Sequence, residues 1–309
     1  MASASQILRL GTRGSLLART QSQLIADELM RIHPGLLVEL LIVKTTGDRV
    51  MHRLMHELGG KGLFTKEIEI ALLDGAVDFA VHSFKDVPVT MPLVERAARE
   101  LIVAAVPQRE DVRDVAVMHD PKRGPFCDGA RIGTSSLRRR CQILDCCPGA
   151  RIELLRGNID TRIKRVRDGD LDIAILALAG LKRIAAFDDS FMRILPMDQM
   201  LPAAGQGALA LQCRTDDEQT RAILAALSDP VTEQCVAAER EVVRALNGDC
   251  HSPIAALATL ENGEFTLHAA VGQRDGQLPV RRARMSVKQA DFAPETFAAT
   301  VVTALRPSV

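Results

Sequence analysis

Apolar and polar positions alternate along this chain in three successive rhythms. Residues 7–10 read as a short strand ending at Gly11-Thr12, after which Ser15 caps a predicted helix running to about His33. The helix carries apolar residues at Leu17, Leu24, Ile25, Leu29 and Ile32, and Pro34-Gly35 stops it. Leu36 to Val43 is apolar except for Glu39 and is predicted as a buried strand. A loop through Gly59-Gly60, a helix around 65–74 and a strand from Val77 to Val81 complete a first β-α-β-α-β unit. That order implies a parallel or mixed sheet with crossover helices.

The segment 107–125 is polar, contains Pro107, Pro121 and Pro125, and reads as a domain crossing. A second rhythm of the same kind starts at Arg131: strand, helix 136–146, strand 151–155, helix 158–168, strand 172–178. Pro196, Pro202, Gly205 and Gly207 make 190–207 another crossing, back toward the first lobe. A helix over 231–246 follows, with Val231, Cys235, Ala238, Val242 and Leu246 on one stripe. Alternation over 253–260, 264–272 and 279–287 then predicts a three-stranded antiparallel sheet, closed by a helix at 294–305. Its turns fall at Asn262-Gly263 and Asp275-Gly276. No internal sequence repeat is visible, although the two α/β lobes share a rhythm.

Charge and composition narrow what this frame can do. The 309 residues include 39 basic and 39 acidic side chains, so a protein-wide basic coat for nucleic acid or a polybasic membrane anchor is not the design. Trp and Tyr are absent and aromatics are 3%, which removes base-stacking platforms and membrane aromatic belts. No apolar run reaches the roughly 18 residues of a membrane span. The first residues, MASASQILRL, do not read as a secretory signal, so a cytoplasmic location is expected. Seven cysteines, an odd number, fit reduced thiols better than a disulfide framework.

Several familiar motifs fail. Gly59-Gly60-Lys61-Gly62 lacks the first glycine and the Ser or Thr of a phosphate-binding loop. His56-Glu57 has no second histidine, Gly205-Gln206-Gly207 lacks a third glycine, and no C-x-x-C pair exists. Metal chemistry by soft ligands is therefore not supported, and no metal is expected.

Three features survive. Between 131 and 183 there are twelve basic and six acidic residues, a local surplus on a neutral chain. Within it, Gly133-Thr134-Ser135-Ser136 joins a predicted strand to the helix bearing Arg138, Arg139 and Arg140, and Arg156-Gly157-Asn158 repeats the arrangement at the next junction. Backbone N–H groups, hydroxyls and guanidinium forks there would seat carboxylates or phosphates, and two such turns in one lobe favour a polyanion cleft over a solvated basic helix face. The second feature, His82-Ser83-Phe84-Lys85-Asp86-Val87-Pro88, follows a predicted buried strand. Asp86 could hold N–H donors or a developing cation there, or be a satisfied turn residue. The third is Cys250 in Asn247-Gly248-Asp249-Cys250-His251, a loop thiol able to act as a nucleophile or simply a small side chain.

Together these segments resemble the porphobilinogen deaminase (hydroxymethylbilane synthase) family of tetrapyrrole biosynthesis. The resemblance runs in order through Gly11-Thr12-Arg13-Gly14-Ser15, Thr46-Gly47-Asp48, Gly59 to Phe64 and His82 to Pro88. It continues through Gly133 to Arg139, Leu155-Arg156-Gly157-Asn158, Ala179 to Arg183 and Pro202 to Ala208, and ends at Cys250, covering nearly the whole chain. It implies two periplasmic-binding-protein-like (type II) α/β lobes plus a C-terminal α+β domain with a three-stranded antiparallel sheet. Lobe 1 would take 1–106 with 204–224, lobe 2 would take 107–203, and the C-terminal domain 225–309.

The resemblance also implies a dipyrromethane cofactor joined covalently to Cys250 as a thioether. Four porphobilinogen molecules, each losing ammonia, would condense head to tail onto this primer, and hydrolysis would release hydroxymethylbilane. Asp86 would be catalytic, serving both pyrrole N–H donors and the cationic intermediate of the substrate. Ser83, Lys85, Thr134, Ser136, Arg138 and Arg139 would hold the cofactor. Arg13, Ser15, Lys61, Phe64, Arg156, Arg162, Arg183 and Gln206 would bind the substrate, Arg13, Ser15, Arg156 and Arg162 through acetate and propionate groups, with Arg183 close to the incoming molecule. A monomer is implied, with no nucleic-acid or membrane partner. Glu57 stands where some bacterial members carry lysine and is given no role. Asp249 stands where a glycine commonly precedes the cysteine. The competing reading is a non-catalytic anion-binding module of the periplasmic-binding type, which requires neither Cys250 nor Asp86.

Overall fold

The computed structural model describes residues 6–45, 65–89, 94 and 100–305. The chain divides into two units, Met1–Arg109 with Ala208–Glu233, and Glu110–Gly207 with Gln234–Val309.

In the first unit the described elements are β1 (Gln6–Thr12), α1 (Leu16–Ile32), β2 (Leu36–Ile42), α2 (Lys66–Leu73), β3 (Phe79–Ser83) and β4 (Leu101–Ala105). The strand β10 (Leu209–Arg214) and α6 (Glu218–Ala225) complete them from later in the chain. They build a five-stranded sheet in the order β2-β1-β3-β10-β4. β1 lies parallel to β2 and β3, and β10 runs antiparallel to β3 and β4. The predicted helix is α1: the Ser15 hydroxyl accepts a hydrogen bond from the Ala18 N–H at 3.3 Å, and Ile25 and Leu29 bury the apolar stripe against Leu8, Leu10, Phe79 and Leu211. β2 corrects an expectation. It lies at the end of the described sheet and alternates, with Leu37 48% and Ile42 57% exposed, so an apolar run here marks an outer strand and not a buried one.

The second unit holds a sheet of the same plan. Its elements are β5 (Asp114–Met118), β6 (Arg131–Gly133), α3 (Leu137–Cys146), β7 (Arg151–Glu153), α4 (Ile159–Arg167), β8 (Ile173–Ala177), α5 (Leu178–Arg183) and β9 (Met192–Ile194). The order is β7-β6-β8-β5-β9, with β6 parallel to β7 and β8, and β5 antiparallel to β8 and β9. Each sheet thus has three parallel strands, one antiparallel strand from a distant part of the sequence, and an outer strand. The two sheets share one doubled α/β plan, as the common rhythm of the sequence predicts. The chain passes between the units at Arg109–Glu110, inside the segment 107–125 read as a crossing, but that segment also holds β5, a wholly buried strand flanked by prolines and charges that the sequence did not reveal.

The same unit contains α7 (Pro230–Ala245), β11 (Ile254–Glu261), β12 (Glu264–Val271), β13 (Arg281–Lys288) and α8 (Pro294–Leu305) from residue 234 onward. The three strands pair antiparallel in the order β11-β12-β13, as the alternation predicts. Asn262 and Gly263 both have positive φ, +52° and +76°, which is the backbone a tight two-residue hairpin turn needs. Phe265 stacks on Phe292 with ring centroids 3.7 Å apart, and Phe297 of α8 meets Phe292 edge-on. Leu257 and Ala270 pack with Leu201 and Val112, and Arg282 pairs with Asp145 of α3, tying this sheet to the neighbouring α/β layer.

Candidate functional site

In the first unit, the C-terminal ends of the adjacent parallel strands β1 and β3 carry the predicted polar residues, the edge where ligands meet open α/β sheets. After Ser83 the chain makes a single 3-10 turn, Phe84–Asp86. Phe84 and Val87 are buried, and Phe84 N–H donates to Ala208 O at 3.0 Å, which pins the turn to β10. Between these anchors Lys85 is half-buried and Asp86 exposed. The Ser83 hydroxyl lies 3.2 Å from the Gln21 side-chain nitrogen, and Arg13 is half-buried in the loop between β1 and α1. Ser15 spends a lone pair on its helix cap. Lys61 and Phe64 lie outside the described residues.

Under this turn sits His82, buried, with Nε2 2.9 Å from Gln212 Oε1 on β10. Burial pushes its pKa down to about 4. The Gln212 hydrogen bond and the Asp86 carboxylate oppose that shift, and the Arg13 guanidinium adds to it. One imidazole therefore feels both Asp86 and Arg13, and it stays neutral at pH 7.

In the second unit, β6 ends at Gly133 and α3 begins after Ser136. Thr134 N–H donates to Glu153 O at 2.9 Å, the Thr134 hydroxyl accepts from Ser136 N–H at 3.1 Å, and the Ser136 hydroxyl faces the Arg139 N–H at 3.4 Å. A Cβ on Gly133 would lie 2.5 Å from Leu171 Cδ1, so glycine lets two buried leucines close over the strand end. The helix register set by Ser136 turns Arg138 and Arg139 inward, where both are buried. Their counter-charge is Asp114 at the start of β5, 2.9 Å from Arg138 Nη2 and 2.7 Å from Arg139 Nη2. Gln206 is also buried and donates from Nε2 to Asp114 at 2.9 Å and to Val112 O at 2.7 Å. A solvated basic helix face is therefore not what these arginines form.

Arg156 and Arg162 flank the next strand-to-helix turn, half-buried. Gly157 there has φ +102°, and Arg162 Nε donates to its carbonyl at 2.8 Å. Arg183 ends α5, donates to Gly207 O at 2.7 Å, and burial lowers its pKa to about 10 despite the opposing Glu110. Lys182, next to it, pairs with Glu110 at 3.0 Å.

Cys250 is exposed in the turn between α7 and β11. The Asp249 carboxylate builds that turn, accepting from His251 N–H at 2.9 Å and from the Ser252 hydroxyl at 3.0 Å, and the Ser252 hydroxyl accepts from Asp249 N–H at 2.9 Å. The residue that departs from the usual glycine is thus a turn-former here. Cys141, Cys147, Cys213 and Cys235 are buried, and burial pushes the Cys141, Cys146, Cys147 and Cys213 thiols up, Cys213 to about 11. Only Cys146, at the end of α3, and Cys250, in this turn, are exposed among the described thiols.

The sequence missed two residues of this unit. One is Asp114. The other is Glu239 of α7, whose buried carboxylate accepts from Gly205 N–H at 2.7 Å and Ala258 N–H at 2.9 Å. A run of arginines too apolar in its surroundings to stay solvated was the one available signal for Asp114. Nothing in the sequence flags Glu239.

Comparison with known proteins fits this arrangement. A family model described as "Porphobilinogen deaminase, dipyromethane cofactor binding domain" matches residues 8–222, and the C-terminal domain of the same family matches 233–301. The porphobilinogen deaminase of Acidithiobacillus ferrooxidans is 46% identical over 273 residues, 87% of this chain and 86% of the relative. That of Syntrophotalea carbinolica is 44% identical over 274 residues, 88% and 85% of the two chains. Among solved structures, the periplasmic VFT2 domain of Bordetella pertussis BvgS aligns over 71% of this chain and 85% of its own, with a TM-score of 0.40 and 13% identity.

Proposed function

The chain belongs to the porphobilinogen deaminase family, and from that premise we propose that it is a hydroxymethylbilane synthase primed by a dipyrromethane thioether-linked to Cys250. It condenses four porphobilinogen molecules head to tail with loss of ammonia and releases hydroxymethylbilane by hydrolysis. The exposure of Cys250 in a formed turn carries the reading, because a binding module needs no thiol there.

The residues fit such a primer. The Nε–H groups of Arg138 and Arg139 are buried with no hydrogen-bond acceptor among the described residues, which suits a ligand rich in carboxylates. When bound, the primer supplies a nucleophilic pyrrole carbon. Asp86, exposed on its anchored turn, accepts pyrrole N–H bonds and stabilises the cation formed as porphobilinogen loses ammonia. Lys85, Ser83, Thr134, Ser136, Arg138 and Arg139 hold the primer. Arg13, Ser15, Arg156, Arg162 and Arg183 receive the acetate and propionate groups of the substrate; Lys61, Phe64 and Gln206 are assigned to substrate binding by resemblance alone, Gln206 being buried with its amide on Asp114 and Val112 O. Neutral His82 beneath the turn leaves the Asp86 charge available for that cation. The domains run 1–106 with 204–224, 107–203 and 225–309, and the enzyme acts as a cytoplasmic monomer. No helix among the described residues is long and apolar enough to cross a membrane.

The test is the intact mass of denatured protein beside its Cys250→Ser variant. Wild type should exceed its sequence mass by two linked pyrrole units, directly or after incubation with porphobilinogen, and the variant should not. A wild type that keeps its bare mass after that incubation refutes the reading.

A further inference from the structure

Asp114 answers two guanidiniums with one carboxylate. It is fully buried, as are Arg138 and Arg139. Its two oxygens are divided between the Nη2 atoms of the pair at 2.9 and 2.7 Å, and Gln206 Nε2 adds a third donor at 2.9 Å. Each Nη1 takes a main-chain carbonyl, Leu201 O at 2.6 Å for Arg138 and Ile175 O at 2.9 Å for Arg139. Among the described residues no other carboxylate is within ion-pair distance of either arginine. Among the described residues the cluster therefore sets two buried positive charges against one negative charge, with no acceptor for either Nε–H group. Buried charge without compensation is strongly unfavourable, so such a cluster is completed by an anion from outside. Gln206 matters because its amide braces Asp114 from a third side without adding charge.

We infer that Asp114, backed by Gln206, is a positioning residue: it holds Arg138 and Arg139 side by side with one uncompensated positive charge, which an acidic side chain of the pyrrole primer takes up. The inference rests on the reading that this lobe receives the primer. Both Asp114 oxygens are engaged by the arginines and Gln206. Asp114 acts through the arginines, keeping two like charges from swinging apart and leaving their Nε edges for the ligand carboxylate.

The experiment uses full-length apo-protein made in cells that cannot synthesise porphobilinogen. Porphobilinogen is added, the gain of primer mass is followed in time, and melting midpoints are read before and after loading. Asp114→Asn removes the charge and keeps the shape. Gln206→Leu keeps the Asp114 charge and removes, at similar volume, the amide that braces it. Asp145→Asn, which breaks only the partly exposed pair with Arg282, is the control. Asp114→Asn should load about tenfold or more slowly, the loss expected for one charge-assisted contact, Gln206→Leu about threefold or more slowly, and both should gain less than about half the wild-type rise in midpoint on loading. The control should match wild type. A purely structural defect lowers both midpoints together and leaves the gain intact. Loading within about twofold of wild type and a full thermal gain in the variants would overturn the inference. If Asp114→Asn does not fold, Gln206→Leu decides alone. Wild type that never gains mass would instead sink the functional reading first, so the two failures are told apart.

Discussion

Acid should unfold this protein partly through one imidazole. His82 is buried against Gln212, and burial holds its pKa at about 4 in the folded chain against an ordinary 6.5. Between those values the unfolded chain binds a proton that the folded chain does not, so stability rises with pH. The contribution is complete above about pH 6.5 and lost as pH falls toward 4. At about 1.4 kcal/mol per pKa unit, the gap removes about 3 kcal/mol by the acid end of the window. His82→Gln is the decisive perturbation, because its amide reaches the Gln212 oxygen and cannot take up a proton in this range. Urea unfolding of wild type and variant at steps from pH 7 to 4 should show wild type losing about 3 kcal/mol more than the variant. Asp78, whose burial pushes its carboxyl up but is outweighed by hydrogen bonds from Arg9 and the charges of Arg9 and Arg214, titrates alike in both proteins, as does half-buried His268. Parallel pH profiles, or an imidazole resonance of His82 titrating near 6.5, would refute the reasoning.

Two further substitutions probe the second unit. Gly133→Ala puts a methyl group 2.5 Å from Leu171 Cδ1 and 3.2 Å from Leu155 Cβ, both leucines being fully buried. It should cost about 1–3 kcal/mol and lower the melting midpoint by several degrees, with the cost shrinking in a Leu171→Ala background; an unchanged midpoint refutes the steric account. Glu239→Gln sets an amide N–H₂ against one of two backbone donors, Gly205 or Ala258, and should destabilise by about 1–3 kcal/mol in thermal melting. A variant that melts with wild type would mean the carboxylate is not the acceptor that both N–H groups use.

Elements with local punctuation were legible in the sequence. α1 has a capping serine, an apolar stripe and Pro34 behind it, and the β11–β12 hairpin has Asn262-Gly263 at the turn. Elements whose identity depends on distant neighbours were not. β2 is as apolar as a buried strand, yet its position at the end of the described sheet exposes Leu37, Leu41 and Ile42. α5 continues the apolar run of β8 without a polar break, since both are buried, so neither a period of two nor one of 3.6 stands out. β5 is five residues long and pairs with β8 across sixty-odd positions of sequence, Asp114 opposite Ala177, while its own flanks read as loop.

Missing that strand and missing the counter-charge of the arginines are one failure. Charge counting along 131–183 finds a surplus, and Ser136 fixes the helix register, but neither says which arginines turn inward. Arg138 and Gln142 share a helix face and both donate to Leu201 O, at 2.6 and 3.0 Å, so this face is packed and dry. A guanidinium on a dry face needs a carboxylate, and the carboxylate here lies more than twenty positions earlier, on a strand the sequence reads as a crossing. Once β5 is placed inside the sheet, Asp114 at its first position falls under the start of α3, and a basic run becomes a half-balanced receptor for an acidic ligand. Motif-bearing residues such as Asp86 and Cys250 announce themselves locally because turns are local. The residues that set the charge state of a buried site are fixed by sheet order, and sheet order is the part of this fold that one sequence carries least openly.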